Sequence, residues 1–179
     1  MRYFNGEIQM SVADLSAGGF GLPWGHTRSY NNQFLDSGEN PTSADFGGGY
    51  NWMIRQVPYL VDLAGDDSEI QVAFGPNDSY WFDLVGAEYV ARHGALEKLE
   101  HDAGNDVFHF TQIDGTRWTF HDFDQLTEPP GGLKEVTTPA GQTLAISYNV
   151  DDRVEEVQRA YSDGASTTTE SFLYAYITG

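Results

Sequence analysis

The sequence has no cysteine, no long apolar run and none of the short motifs that mark common enzyme sites. Without cysteine there is no disulfide, no thiolate metal ligand and no cysteine nucleophile. No stretch approaches the roughly 18 apolar residues of a membrane-spanning helix, and residues 1–6 lack the apolar centre of a signal peptide. Serine-hydrolase (G-x-S-x-G), zinc-protease (H-E-x-x-H) and Walker motifs are missing. We therefore expect no membrane insertion, and we assign no catalytic, cofactor-binding or metal-binding residue.

Basic residues are also scarce. The chain has 9 Lys and Arg against 27 Asp and Glu, which gives a formal net charge of −18. Residues 1–60 carry 5 acids and 3 bases, so residues 61–179 carry the other 22 acids and 6 bases. Such a field repels nucleic acid and anionic membranes, so neither is an expected partner. The acids are interpreted as a solvated surface.

What the chain does contain is enough apolar and aromatic material for one folded domain over residues 1–179. Hydrophobic residues make up 40% of the sequence and aromatic residues 14%. Short runs in which apolar and polar residues alternate are separated by clusters of Gly, Pro, Asn and Asp, a pattern that predicts strands joined by tight turns. In the first 86 residues these strands are predicted at 6–12, 26–32, 55–63, 69–74 and 79–84, with glycine-rich or polar loops at 14–25 and 33–44.

Residues 87–101 are ambiguous because they combine good helix formers with strand surroundings. Glu88, Leu96 and Lys98 favour a helix, but Gly94 lies in the middle and no capping residue precedes Val90. We predict two short strands that turn at 93–95. The helix remains the alternative.

The hairpin over residues 107–123 has a register that burial can decide. A two-residue loop at 114–115 would scatter its aromatic residues over both faces of the sheet. A three-residue loop at 113–115, with Gly115 in the left-handed conformation, places Phe108 opposite Phe120 and Phe110 opposite Trp118. This register gathers four aromatic side chains on one face, and we predict it.

The alternation of apolar and polar residues predicts three more short strands within 132–157. The identities of the residues in this segment are more informative than the alternation. The segment reads as G-x-L, a turn with Gly, L-x-I-x-Y, and then N-x-D-D-R-V-x-x-V. This phrase resembles the YD repeat of RHS and teneurin-like proteins. Three earlier phrases resemble the N-terminal part of an RHS region in the same order: 28–31 (R-S-Y-N), 46–49 (F-G-G-G) and 114–120 (D-G-T-x-x-x-F). Tyr50 stands where the family usually has tryptophan.

The resemblance implies an all-β fold in which antiparallel hairpins build a curved, open sheet that forms part of a shell wall. It further implies a non-catalytic module of a bacterial secreted or surface protein, whose shell encapsulates or displays a C-terminal toxin segment. The self-cleaving D-P-x-G motif of the family is absent. A surface adhesin is a rival role from another class of proteins.

Two kinds of residue are candidate metal ligands, the histidines and the acids in the turns. His109 and His121 are expected as diagonal neighbours on the polar face of the hairpin, with Cβ atoms roughly 7–8 Å apart and no third ligand at a recognisable spacing. Solvent-facing sheet histidines are the favoured interpretation. The acids at 66–69 and 151–152 could hold calcium, but neither run has EF-hand spacing, so ordinary turn acids are favoured.

A carbohydrate-binding β module is the alternative function. The chain has 10 tyrosines and 4 tryptophans, and Trp24, Trp52 and Trp81 lie in or beside predicted loops, where an indole could stack on a sugar ring. Buried indoles would argue against this alternative.

The last predicted strand, at 167–176, places Phe172, Tyr174 and Tyr176 on one apolar face. No polar cap of the kind that ends repeat arrays follows it. We expect the chain to be a piece of a longer repeat protein, and we expect this edge to be covered by the remainder of that protein or by another copy.

Overall fold

The structure is a computed structural model that describes residues 8–19, 22–31, 52–75, 78–162 and 164–176. Within these residues the protein is all-β, as the sequence predicts, and its one helical segment is a single 3-10 turn at Arg92–Gly94. No helix in the described part of the chain is long and apolar enough to cross a membrane. The strands are β1 Gln9–Ala17, β2 Trp24–Asn31, β3 Trp52–Ile54, β4 Tyr59–Asp62, β5 Glu69–Gly75, β6 Asp78–Val85, β7 Glu88–Ala91, β8 Lys98–Asp102, β9 Val107–Thr111, β10 Arg117–His121, β11 Leu133–Thr137, β12 Thr143–Tyr148, β13 Val154–Ser162 and β14 Thr167–Leu173.

The strands form three antiparallel sheets that follow the order of the chain. The first sheet has the order β1-β2-β3, the second β4-β5-β6-β7, and the third runs from β8 to β14 without a crossover. We call the third sheet the meander. Among the described residues none of the three sheets closes on itself. The open, antiparallel all-β architecture is therefore confirmed, while kinship with the RHS family stays a prediction.

The glycine-rich loop at 14–25 is shorter than predicted. β1 continues to Ala17 and β2 begins at Trp24. A bulge between Ala13 and Leu15 lets the strand continue past Asp14, whose carboxylate accepts two hydrogen bonds, of 2.6 and 2.8 Å, from the Arg28 guanidinium on β2. The side-chain pair across the bulge extends the hairpin where local composition indicated a loop.

The meander agrees with the predicted pairing. In the hairpin of β9 and β10, Phe108 lies opposite Phe120 and Phe110 opposite Trp118. Gly115 has a φ of 85°, and its N–H donates to the Gln112 carbonyl across the three-residue loop. The strands predicted within 132–157 are present as β11, β12 and the start of β13. The F-G-G-G phrase at 46–49 lies outside the described residues.

Residues 87–101 form two short strands, which confirms that prediction over the helix. The strands do not pair with each other, however, because β7 pairs with β6 and β8 pairs with β9. The turn between them has His93 and Gly94 at φ values of 60° and 72°. This segment is therefore the crossing from the second sheet to the meander.

The larger of two hydrophobic clusters among the described residues takes side chains from all three sheets, and the smaller one consists of Met53, Tyr59, Val61 and Ala73. Phe110 is fully buried in the larger cluster, with ring centroids 5.6 Å from Phe74, 5.0 Å from Tyr80 and 6.1 Å from Phe82. Gly131 is a second junction, since its carbonyl accepts the Leu60 N–H at 2.8 Å. The second sheet therefore packs closely on the meander.

Candidate functional site

A fully buried arginine is the most unusual group in the described part of the chain. Arg159 on β13 has no exposed side-chain area, and its Nε donates to Glu170 Oε2 on β14 at 2.6 Å. Its Nη1 donates to the carbonyls of Leu22 at 3.0 Å and Ala17 at 3.3 Å, and its Nη2 donates to the Gly18 carbonyl at 2.9 Å. A single side chain near the end of the chain thus holds the turn between β1 and β2.

Gly19 in this turn has a steric reason to be glycine. A Cβ on Gly19 would lie 2.5 Å from Arg159 Nη2, and the φ of 145° at Gly19 is one that other residues rarely adopt. The turn directs carbonyl oxygens inward, so it is built to receive a cation. A phosphate cradle needs the opposite arrangement, with N–H groups directed at the ligand.

Aromatic contacts extend this junction along β14 and to Tyr174, the residue that follows it. Tyr174 Oη lies 3.3 Å from Trp24 Nε1 and 3.2 Å from His26 Nδ1, and the ring of Phe172 lies 6.4 Å from that of Trp24. The predicted apolar face of Phe172 and Tyr174 is therefore packed against β2. The other edge of β14 has no partner strand within the described residues.

The two hairpin histidines differ from the expectation that both face solvent. His109 is half-buried and lies 3.1 Å from the Thr119 hydroxyl. His121 is buried, with its ring 6.4 Å from that of Tyr148. Burial, followed by the positive charge of Lys134, lowers the pKa of His121 to about 4. The expectation fails because residues beyond the hairpin cover the far end of this sheet face.

A second polar cluster lies where the second sheet meets the meander. His101 Nε2 on β8 lies 2.7 Å from Asp122 Oδ2, and the imidazole stacks on Phe108 at 4.4 Å with an angle of 13° between the rings. Asp122 is buried, whereas the His101 side chain is 30% exposed. Tyr89 on β7 packs edge-on against Phe108 and donates to the Asp67 carbonyl at 2.8 Å.

Burial and several nearby carboxylates raise the pKa of two groups at this cluster, Asp67 and Tyr89. Burial, and then the nearby carboxylates of Asp62 and Asp122, raise the pKa of Asp67. Burial, and then the charge of Asp67, raise the pKa of Tyr89 to about 12. The phenol of Tyr89 is therefore a hydrogen-bond donor throughout the neutral range and not a base.

The acidic turns weighed as calcium sites make hydrogen bonds of their own. Asp66 Oδ1 accepts hydrogen bonds from the Ser68 hydroxyl and, at 3.1 Å, from the Ser68 N–H, and these two bonds lower the pKa of Asp66. In the second turn, Asn149 Oδ1 accepts the N–H groups of Asp151 and Arg153. Across the part of the chain that the structure describes, no three His, Cys, Asp or Glu side chains converge on a point where a metal could bind.

The three loop tryptophans separate into two kinds. Trp24 is buried, at 3% exposure, and belongs to the core. Trp52 and Trp81 are half-buried, and each has an arginine near its ring: Arg28 at 5.0 Å and Arg92 at 6.0 Å. A sugar-stacking role is therefore excluded for Trp24 and stays open for the other two.

Sequence reasoning missed both polar clusters. For Arg159 a signal was present, because Val157 and Arg159 are two apart on one strand and thus share its buried face. A cation at an inward position requires a buried partner. For His101 and Asp122 no local signal exists, since the two residues come from separate segments.

Comparison of the chain with protein-family models finds no match, and comparison with curated proteins finds none.

Proposed function

We propose that the chain is a non-catalytic structural module of a bacterial secreted or surface RHS/YD-repeat protein. In this role its sheets form part of a wall that encapsulates or displays a C-terminal, toxin-like segment. The observation that supports the proposal is the strand order of the meander. Seven consecutive strands pair strictly with their neighbours in sequence, so each further hairpin extends the same sheet. Such growth by addition is typical of repeat arrays.

The meander has one buried face and one exposed face, as the wall of a shell requires. Leu133, Val136, Leu144 and Val157 are buried on one face, whereas intervening residues such as Lys134 are exposed. The wall needs a partner at its open end, and the proposed pairing surface is the edge of β14 that pairs with no strand among the described residues. The remainder of the same protein, or another copy, is the proposed occupant of this edge.

Limited proteolysis of the parent protein tests the proposal. The polypeptide encoded after position 179 should resist trypsin in the wild type and become sensitive in Arg159→Ala, where the wall loses the contact between its first and third sheets. Arg117→Ala is the matched control, because Arg117 is exposed on β10. Equal sensitivity in all three proteins, or a reading frame that encodes no further repeats, would contradict the proposal.

A carbohydrate-binding surface is the second candidate, and the half-buried Trp81 supports it. Trp81 lies opposite Gln71 on the second sheet, close to Arg92, which pairs with Asp83 and Glu69. An indole beside amide and charged groups is a common sugar-binding surface. Glycan-array binding that is lost in Trp81→Ala and retained in Trp52→Ala would support this candidate. Absence of binding by the wild type would remove it.

A further inference from the structure

An open pocket of about 370 Å³ is lined by residues of the first sheet and of the meander. Sites for small organic molecules have volumes of about 300–1,000 Å³ and a mainly apolar lining. The pocket is at the lower end of this range, which suits a small ligand. Most of its lining is apolar and comes from β2, the turn before it and three strands of the meander: Leu22, Pro23, Trp24, Trp118, Val136 and Leu144.

The two tryptophans of the pocket already have partners for their indole N–H groups. Trp118 Nε1 donates to Gln112 Oε1 at 3.0 Å, and Trp24 Nε1 donates to Tyr174 Oη at 3.3 Å. The Phe74 ring meets the Trp118 ring edge-on, with centroids 4.9 Å apart and planes at 90°. The indoles are therefore held in place and offer carbon atoms to a ligand. Aromatic rings pack well on such a surface.

One charged residue lines the pocket, and it is basic. Arg55 follows β3 and is exposed. Within the described ranges of the chain its guanidinium has no hydrogen-bond or ion-pair partner. A guanidinium binds a carboxylate through two parallel hydrogen bonds, so an anionic group is its matching ligand.

The backbone that carries Arg55 is fastened to β2. The Arg55 N–H donates to the Thr27 carbonyl at 2.9 Å. The next side chain, Gln56, accepts the Thr27 N–H at 2.8 Å and donates to the Thr27 hydroxyl at 3.1 Å. The position of the guanidinium at the pocket is thus set before a ligand arrives, which lowers the entropy cost of binding.

The lack of acids in this lining is informative because the chain is so acidic. The sequence has 27 Asp and Glu, and none of them is among the described residues that line the pocket. The net charge of −18 opposes the approach of an anion, but physiological salt screens charges beyond about 8 Å. Arg55 in the lining therefore acts on a bound ligand more strongly than distant acids do.

We propose that this pocket binds a small aromatic anion, namely a flat ring system with one carboxylate. The ring system packs on the Trp118 indole and on the side chains of Val136 and Leu144. The carboxylate accepts hydrogen bonds from Arg55. A saccharide suits the pocket less, because most of the lining has no group that bonds to hydroxyls. This proposal does not depend on the shell function.

Titration with naphthoate, measured by calorimetry and by the NMR signals of the indole N–H groups, tests the inference. We expect a Kd below about 1 mM. The signal of Trp118 should shift with the titration, whereas that of Trp81 on the second sheet should not. Naphthamide, which has the same rings and no charge, should bind about tenfold more weakly.

Arg55→Gln separates the charge from the rings. This variant should bind naphthoate about tenfold more weakly than the wild type and should bind naphthamide within about twofold of it. Arg117→Gln is the matched control, because Arg117 is also exposed and its side chain lies on the face of β10 opposite to Trp118. It should leave the affinity for both compounds within about twofold of the wild type.

Thr116→Phe tests the location, because Thr116 lies at the pocket and its larger replacement fills the space. The Thr116 N–H and carbonyl bond to Asp114 and Gln112, and both bonds survive the substitution. The variant should unfold at the temperature of the wild type and bind neither compound.

Three results would overturn the proposal. The first is a Trp118 signal that does not move with naphthoate, or binding retained in Thr116→Phe. The second is equal affinity of the wild type for naphthoate and naphthamide. The third is glucuronate binding as tight as that of naphthoate, which would assign the pocket to acidic saccharides.

Discussion

The meander and the first sheet are stabilised in different ways. Every strand of the meander pairs with a neighbour in sequence, so its hydrogen bonds close short loops. The hairpin of β1 and β2 is fastened to the rest of the protein by Arg159 and Tyr174, which contact residues 137 to 150 positions away. Closing a long loop costs more conformational entropy than closing a short one. The first sheet should therefore be the part that depends on a few specific contacts.

Phe110→Ala should lower the free energy of unfolding of the whole protein, and it should affect both regions alike. Phe110→Ala removes a fully buried ring that packs on aromatic side chains of the second sheet. Truncation of a buried Phe costs about 4 kcal/mol, so urea unfolding should show that loss in the whole protein. Ile113→Ala, at a loop position with 70% exposure, should change the free energy of unfolding by less than about 0.5 kcal/mol. Similar losses in both variants would mean that the core lies elsewhere.

Arg159→Ala should separate the regions. The change leaves the carbonyls of Leu22 and Gly18 without their donor and Glu170 without its partner. Because Glu170 is half-exposed, we expect about 3 kcal/mol, the low end for breaking a buried ion pair. Hydrogen exchange should accelerate in 9–31 far more than in 107–148.

Arg117→Ala is the control for this prediction, since Arg117 is an exposed arginine of the meander. It should leave exchange in both segments within twofold of the wild type. If Arg159→Ala accelerates exchange equally in the two segments, the first sheet is not separately anchored by this arginine.

The same difference explains which features could be predicted from sequence. The register of Phe108 and Phe110 followed from alternation and one glycine turn, because both strands lie within 17 residues. The extent of β1 could not be predicted, because the bulge at Asp14 is stabilised by Arg28 and the following turn by Arg159. The pairing of His101 with Asp122 depends on where two segments meet after folding. The local sequence pattern contains information on contacts within a hairpin. It contains none on contacts between segments that are distant in the chain.

Two glycines test how tightly the second sheet packs on the meander. Gly131 and Gly141 both have positive φ, at 70° and 76°. A Cβ at Gly131 would lie 2.6 Å from the Leu60 carbonyl oxygen, whereas a Cβ at Gly141 meets open space. Gly141→Ala should cost about 1 kcal/mol for the left-handed backbone alone, and Gly131→Ala about 3 kcal/mol because the sheets must also separate. Equal costs in thermal unfolding would show that this junction is loose.

The smallest effect is a pH dependence that originates within the meander. Burial lowers the pKa of His121 to about 4 from its usual 6.5, so between pH 6.5 and 4 the unfolded chain binds a proton that the folded chain does not. The free energy of unfolding should therefore fall as the pH falls through this window. One pKa unit corresponds to about 1.4 kcal/mol, and with allowance for partial hydration we expect about 2 kcal/mol. The free energy of unfolding of His121→Gln minus that of the wild type should rise by about 2 kcal/mol when the pH is lowered from 7 to 4.5. His93→Asn is the control, because His93 lies at an exposed turn, and it should show no such relative gain. If His121→Gln has the same pH profile as the wild type, the His121 imidazole is hydrated in the native state.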